Sequence, residues 1–400
     1  MSQRAWKDEG TGPGPVMAGA GVAGAGAAGR LPAPLLCPDY SGPYLGAVVP
    51  ALQMPPSERP RWLPAPLRQA EQVVLLVLDG LGWLQLQERA AVAPLLASFE
   101  GGPISSVAPT TTATALSSLA LGMAPNEHGI VGYKFAVDGP SGREVLNVLR
   151  WSTVSGDARS FLPPAALQPH LAFSGRPVPI VSRADFAGTG FSTAHQRGGR
   201  DVGWAVPSSV PVLVQRLLGE GEPFVYTYYD GIDKVAHATG LGDLYDAELA
   251  YVDGCVQRIA ERLPSGCVLA VTADHGQVEV GGKAEVLRPD IAELCAMTSG
   301  DARFRWLHAK PGMRSQLLQA AQQSYGDIAW VAAREEVVGA GLFGGALTDE
   351  AAGRLGDVAL LPLDDRAFLD SRDGGDAHLV CRHGGLSPEE LLVPLVAALS

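Results

Sequence analysis

"EQVVLLVLDGLGW", Glu71 to Trp83, contains an unbroken apolar run, Val73 to Leu78, that ends in Asp79-Gly80. A half-exposed strand would alternate apolar and polar residues, so an unbroken run of strand length reads as a strand buried on both faces. The form recurs in "EPFVYTYYDG" (Glu222 to Gly231) and "GCVLAVTADHG" (Gly266 to Gly276), each ending in acidic residues and glycine. Between these two, "DLYDAELAYVDGCVQRIAERL" (Asp243 to Leu263) keeps its apolar residues at helical spacing. "GMRSQLLQAAQQSYG" (Gly312 to Gly326) reads as another helix, followed by the short strand "IAWVAA". Strands alternating with helices predict an α/β fold with a mostly parallel central sheet flanked by helices. Ligands of such sheets gather outside the carboxyl ends of the strands. Asp79, Asp233 and Asp274, at or just past three strand ends, are therefore expected to converge.

Around these strands the 400-residue chain divides by texture. Residues 1–34 read as a flexible Gly/Ala-rich leader; their middle lacks the leucines of a signal peptide, and Asp8 and Glu9 precede it. Residues 35–133 and 222–400 are assigned to the catalytic core. Residues 134–221, rich in Pro, Gly and Ser, read as an inserted cap that shapes substrate choice. No apolar run approaches the ~20 residues of a membrane-spanning helix. The formal net charge of -12 argues against a nucleic-acid backbone as partner, because such binding rests on Lys/Arg clusters. Any positive charge for an anionic substrate must come from a metal, a helix N-terminus or a few arginines. The five cysteines show no C-x-x-C spacing and read as reduced thiols, which points to the cytoplasm.

Three histidines accompany the three acids. Asp233 and His237 are one helical turn apart in "GIDKVAHATG", so both can face one point. His275 follows Asp274 directly, and His383 lies in "CRHGGLSPEELLVPL" before a helix start marked by Ser387 and Pro388. Singly, each has a bland reading as a turn, cap or core residue. Together, three carboxylates and three imidazoles suit zinc or a comparable first-row metal, and six ligands exceed one four-coordinate ion.

The segment "PTTTATALSSLALG" (Pro109 to Gly122) crowds Thr110, Thr111, Thr112 and Thr114 at a predicted helix start. One threonine suffices as N-cap. A hydroxyl there also points into the positive end of the helix, and beside a metal it can become an alkoxide nucleophile.

In chain order, "LDGLGW", "PTTT", "GMAPNEHG", "DKVAH", "ADHG" and "RHGG" resemble the motifs of the alkaline phosphatase superfamily, specifically its type I phosphodiesterase/nucleotide pyrophosphatase branch, from about Val73 to Pro394. The resemblance implies an alkaline-phosphatase-like core and a nucleophilic threonine sixteen positions before the H-G histidine His128, which is Thr112. It implies one zinc held by Asp233, His237 and His383, and a second held by Asp79, Asp274 and His275 with Thr112 beside it. His128 is expected to hold the turn after the helix. Where the family places an asparagine that supports the phosphoryl oxygens, this chain has Tyr133; either Tyr133 takes over, or Asn147 or Arg150 reaches in.

The implied activity is hydrolysis of a small-molecule phosphate ester through a phospho-threonine intermediate, as a phosphodiesterase or nucleotide pyrophosphatase. A phosphomonoesterase, phosphonate hydrolase or phosphomutase on the same metal core is the alternative within the superfamily. A non-catalytic zinc-bound module that binds a nucleotide or partner is the alternative of another class. A sulfatase is disfavoured, because no cysteine lies near Thr112.

Overall fold

The computed structural model describes residues 31–372 and 378–399, so nearly all of the expected leader lies outside the described residues. A seven-stranded sheet organises the chain, in the order Glu100–Ser105, Leu392–Leu399, Cys267–Thr272, Gln72–Leu78, Phe224–Tyr229, Pro179–Arg183, Arg200–Trp204. The five strands from Cys267–Thr272 to Arg200–Trp204 run parallel, and Leu392–Leu399 is antiparallel to both of its neighbours. This is the mostly parallel α/β sheet that the apolar runs predict.

Gln72–Leu78 lies at the centre, and Val73 through Leu78 are all buried. Complete burial of a Val or Leu side chain stabilises by about 1.5–3 kcal/mol, so such a strand is stable only inside the sheet. Helices cover the faces. In Asp243–Ala260 the buried residues Tyr245, Leu249, Val252, Val256 and Ile259 fall three or four apart and form one apolar stripe.

Two expected boundaries change. The strands Pro179–Arg183 and Arg200–Trp204 belong to the central sheet, so residues 134–221 are not one inserted cap. Their shortness disguised them; Pro179–Arg183 is buried over four of its five residues and pairs with Phe224–Tyr229. A separate antiparallel sheet occupies only Lys134–Gly139, Gly142–Asn147, Ser152–Thr153 and Gly156–Asp157.

The second change lies downstream, inside the segment read as continuous core. Cys295–Asp301, Phe304–Ala309, Val358–Pro362 and Ala329–Ala333 form their own four-stranded antiparallel sheet. With the helix Arg314–Tyr325 it encloses a small separate core that includes Leu307, Leu317, Tyr325 and Leu360. A buried two-point ion pair, Arg303 to Glu390 at 2.8 and 2.9 Å, joins this unit to the end of the main chain path. Among the described residues no helix is long and apolar enough to cross a membrane.

Candidate metal centre and nucleophile

The parallel strands deliver their acidic ends to one place. Asp79 follows Gln72–Leu78, Asp274 lies two residues past Cys267–Thr272, and Asp233 and His237 ride on the helix Gly231–Thr239. His383 follows the short strand Cys381–Arg382. Thr112 is the first residue of the helix Thr112–Leu121. The tight turn at Gly80 lets these elements close up. Its φ is +75°, and a Cβ there would come within 2.8 Å of Gln277 Nε2 and 3.0 Å of Asp233 Cβ.

Two groups of ligand atoms each converge within 4.8 Å: Asp79, Asp274 and His275, and Asp233, His275 and His383. His275 Nε2 lies 3.5 Å from Asp79 Oδ1 and 3.4 Å from Asp274 Oδ2. It thus joins both groups, and its ring stacks on His383 with centroids 3.6 Å apart. His237 is not in the tight second group but stands beside it, with Nε2 3.3 Å from Asp233 Oδ1. All six expected residues come together, and His275 is more central than the sequence suggests.

The three imidazoles are oriented alike. Nδ1 of His237 bonds to Cys381 O at 2.7 Å, Nδ1 of His275 to Gly276 O at 3.1 Å, and Nδ1 of His383 to Thr110 O at 2.9 Å. A backbone carbonyl requires a donor, so each Nδ1 carries a proton and Nε2 is the nitrogen turned toward the acids. Metal-ligating histidines are held in this way.

The carboxylates fit a cation equally well. Asp79 Oδ1 and Asp274 Oδ2 are buried and have no hydrogen-bond partner, which is costly for a charged oxygen unless an ion faces it. Burial, then the charges of Asp274 and Asp233, push the Asp79 carboxyl well above the usual range. Burial also raises Asp274. Burial, then His275 and His237, hold His383 well below an ordinary imidazole. Imidazoles beside crowded acids are a donor set that a divalent metal completes.

Thr112 Oγ1 lies 3.1 Å from His275 Nε2, and Thr112 is nine-tenths buried. No threonine hydroxyl caps the helix: Thr111 holds the N-cap position without a side-chain bond. His128 holds the turn, with Nε2 2.8 Å from Ser118 Oγ and Nδ1 accepting from Ile130 N–H at 3.1 Å.

Thr112 borders two pockets. One, of about 240 Å³, is lined by Tyr133, Lys134, Arg305, Arg382 and His383. The other, of about 430 Å³, is lined by Asp79, Arg183, Phe186, Phe191, His195 and Tyr228. Tyr133 thus reaches the site. Asn147 Nδ2 donates to the Tyr133 hydroxyl at 2.7 Å, and Arg150 contributes only its backbone N–H, which donates to Asn147 Oδ1 at 3.1 Å. The Arg150 side chain is exposed and lines neither pocket.

Sequence reasoning missed Gln277 and Tyr228. Gln277 Nε2 donates to Asp233 Oδ1 at 2.5 Å, and the Tyr228 hydroxyl donates to Asp79 Oδ2. Gln277 was marked only by its place directly after "DHG", and Tyr228 by a polar tip in an otherwise buried strand.

Converging strand-end acids and histidines beside a helix-mounted hydroxyl fit a phosphoester hydrolase of the alkaline phosphatase superfamily. The chain belongs to the type I phosphodiesterase/nucleotide pyrophosphatase family, whose sequence pattern matches residues 73–384. No curated protein matches it. Its fold resembles murine ectonucleotide pyrophosphatase/phosphodiesterase 5 at 13% identity and a TM-score of 0.62, covering 81% of this chain and 87% of that one. The human counterpart gives 14% identity and a TM-score of 0.61, covering 82% and 87%. Phosphonoacetate hydrolase from Sinorhizobium meliloti 1021 gives 17% identity and a TM-score of 0.54, covering 82% and 90%.

Proposed function

We propose that this phosphoesterase cleaves a small-molecule phosphodiester or pyrophosphate, with Thr112 as nucleophile and two zinc ions as its metals. Asp79, Asp274 and His275 hold one ion beside Thr112, and Asp233, His237 and His383 hold the other. Bound zinc supplies Lewis acidity that lowers the Thr112 hydroxyl pKa and neutralises charge on the phosphoryl oxygens.

The chain's own residues do the rest. Thr112, fixed as the first residue of its helix, would hold Oγ1 in place for attack on phosphorus. The positive helix end favours the anionic phosphoryl group. Tyr133, held by Asn147, lies on the wall where a phosphoryl oxygen would rest. Thr112 Oγ1 bonds to phosphorus as the ester bond to the leaving group breaks, and the hydroxyl proton passes to the departing oxygen. Water then adds its hydroxyl to phosphorus, the phospho-threonine bond breaks, and the second water proton goes to Thr112 Oγ1. Lys134, Arg305 and Arg382 line the smaller pocket together with Asp233 and Asp301, and so bring basic groups to the site in a chain of net charge -12. The reading places the chain in a reducing compartment, the cytoplasm, in keeping with the free thiols of Cys37, Cys255, Cys267, Cys295 and Cys381.

One observation carries the choice of a diester: Thr112 stands where two pockets meet, so each ester substituent has its own space. The test is turnover of a chromogenic phosphodiester against the matching monoester, with and without chelator. Faster, chelator-sensitive diester cleavage is expected. Preference for the monoester would favour a phosphomonoesterase, and no turnover with both metals bound would favour a binding module.

A further inference from the structure

We infer that Thr110 is the positioning residue that sets His383 against the nucleophile. The inference takes the task of His383 from the proposed metal centre; its evidence is the hydrogen bonding around Thr110. Thr110 is fully buried two residues before Thr112, and it makes three bonds to one loop. Its carbonyl oxygen accepts from His383 Nδ1 at 2.9 Å. Its hydroxyl accepts from Gly384 N–H at 3.0 Å and donates to Gly385 O at 2.7 Å. Donor and acceptor capacity of the hydroxyl are both in use.

Gly384 has φ +110°, and a Cβ there would come 2.7 Å from Asp301 Cβ; one at Gly385 would come 2.6 Å from Glu390 Oε2. Position 384 requires glycine, and neither glycine has a side chain to hold the loop, so backbone bonds do that work at these two positions. On its far side Gly385 N–H donates to Glu390 Oε1 at 2.8 Å, and Glu390 is locked to Arg303. His383 is therefore clamped between Thr110 and Glu390. The Thr110 clamp shares its short backbone with Thr112, so nucleophile and ligand move as one piece. Thr110 touches no reacting atom; it acts through His383.

The test uses the whole protein with Zn²⁺ as probe, measuring stoichiometry, affinity by chelator competition, and the thermal midpoint. Thr110→Val keeps the side-chain shape and removes both hydroxyl bonds; Thr110→Ser keeps them. The expected result for Thr110→Val is one zinc bound as in the wild type and the other weakened about 10- to 100-fold, the usual cost of losing a group that orients a metal ligand. Thr110→Ser should bind both as the wild type does. Full two-zinc affinity in Thr110→Val would overturn the inference, as would equal weakening in Thr110→Ser. Should Thr110→Val fail to fold, Thr110→Ser decides alone, because wild-type binding supports the hydroxyl clamp and weakened binding overturns it. A wild type that binds two zincs yet cleaves no ester would remove the proposed function and leave this metal readout standing. A wild type that binds no zinc through His383 would overturn the inference itself.

Discussion

Thr112 Oγ1 and His275 Nε2 lie 3.1 Å apart although 163 residues separate them in the chain. The contact puts the hydroxyl at the edge of the Asp79, Asp274 and His275 group, where a bound metal ion would stabilise an alkoxide. Thr112→Ala should therefore lower kcat by a factor on the order of 10³ to 10⁶, the range for loss of a nucleophile. Metal content should stay near that of the wild type. A Thr112→Ala protein that keeps most of its turnover would show that another group attacks phosphorus.

Gln277→Leu should weaken metal binding at the Asp233 position by about tenfold. The amide is buried and donates to Asp233 Oδ1, so leucine removes its hold on that oxygen while filling similar space. Chelator competition checks this, and unchanged affinity would mean that the helix Gly231–Thr239 orients Asp233 unaided.

Tyr133→Phe should reduce kcat and kcat/KM together by about a hundredfold, as expected when a donor to transition-state oxygens is lost. Asn147→Ala should have a smaller effect in the same direction, because Asn147 acts through the Tyr133 hydroxyl. Steady-state kinetics on one diester decide it. A change confined to KM would instead make Tyr133 a substrate-binding wall.

His195 gives a pH prediction away from the metal ligands. Its ring is buried against Phe191, and burial pushes its pKa from 6.5 down to about 4. Between these values the unfolded chain binds a proton that the folded chain refuses, so this residue's contribution to stability is lost as pH falls through that window. His195→Asn keeps a donor for Phe191 O and removes the titrating ring. Its urea midpoint should fall less steeply from pH 6.5 to 4 than that of the wild type; parallel curves would contradict the assignment.

Much of this was legible in the sequence because the physics is local. Unbroken apolar runs ending in Asp marked the buried parallel strands, and a strand end needs no tertiary information to announce itself. The i, i+4 spacing of Asp233 and His237 likewise placed both on one helical face. What escaped depended on contacts distant in sequence. The membership of Pro179–Arg183 and Arg200–Trp204 in the central sheet escaped, because it is defined only by pairing of the first with Phe224–Tyr229 and of the second with the first. Thr110 read as a surplus cap, because nothing near it in sequence reveals that its partners are Gly384 and Gly385. Asn147 reaches Tyr133 only because it pairs with the neighbouring Lys134 across adjacent strands, a register the sequence does not display.

The most direct test is to mix zinc-loaded protein with a phosphodiester, quench in acid within the first turnover, and map phosphorylation by peptide mass spectrometry. A phosphoryl group on Thr112, absent from Thr112→Ala, is the expected result. A wild type that releases product within the same interval and carries no phosphoryl group on Thr112 would contradict nucleophilic catalysis by this residue and point to direct attack by water.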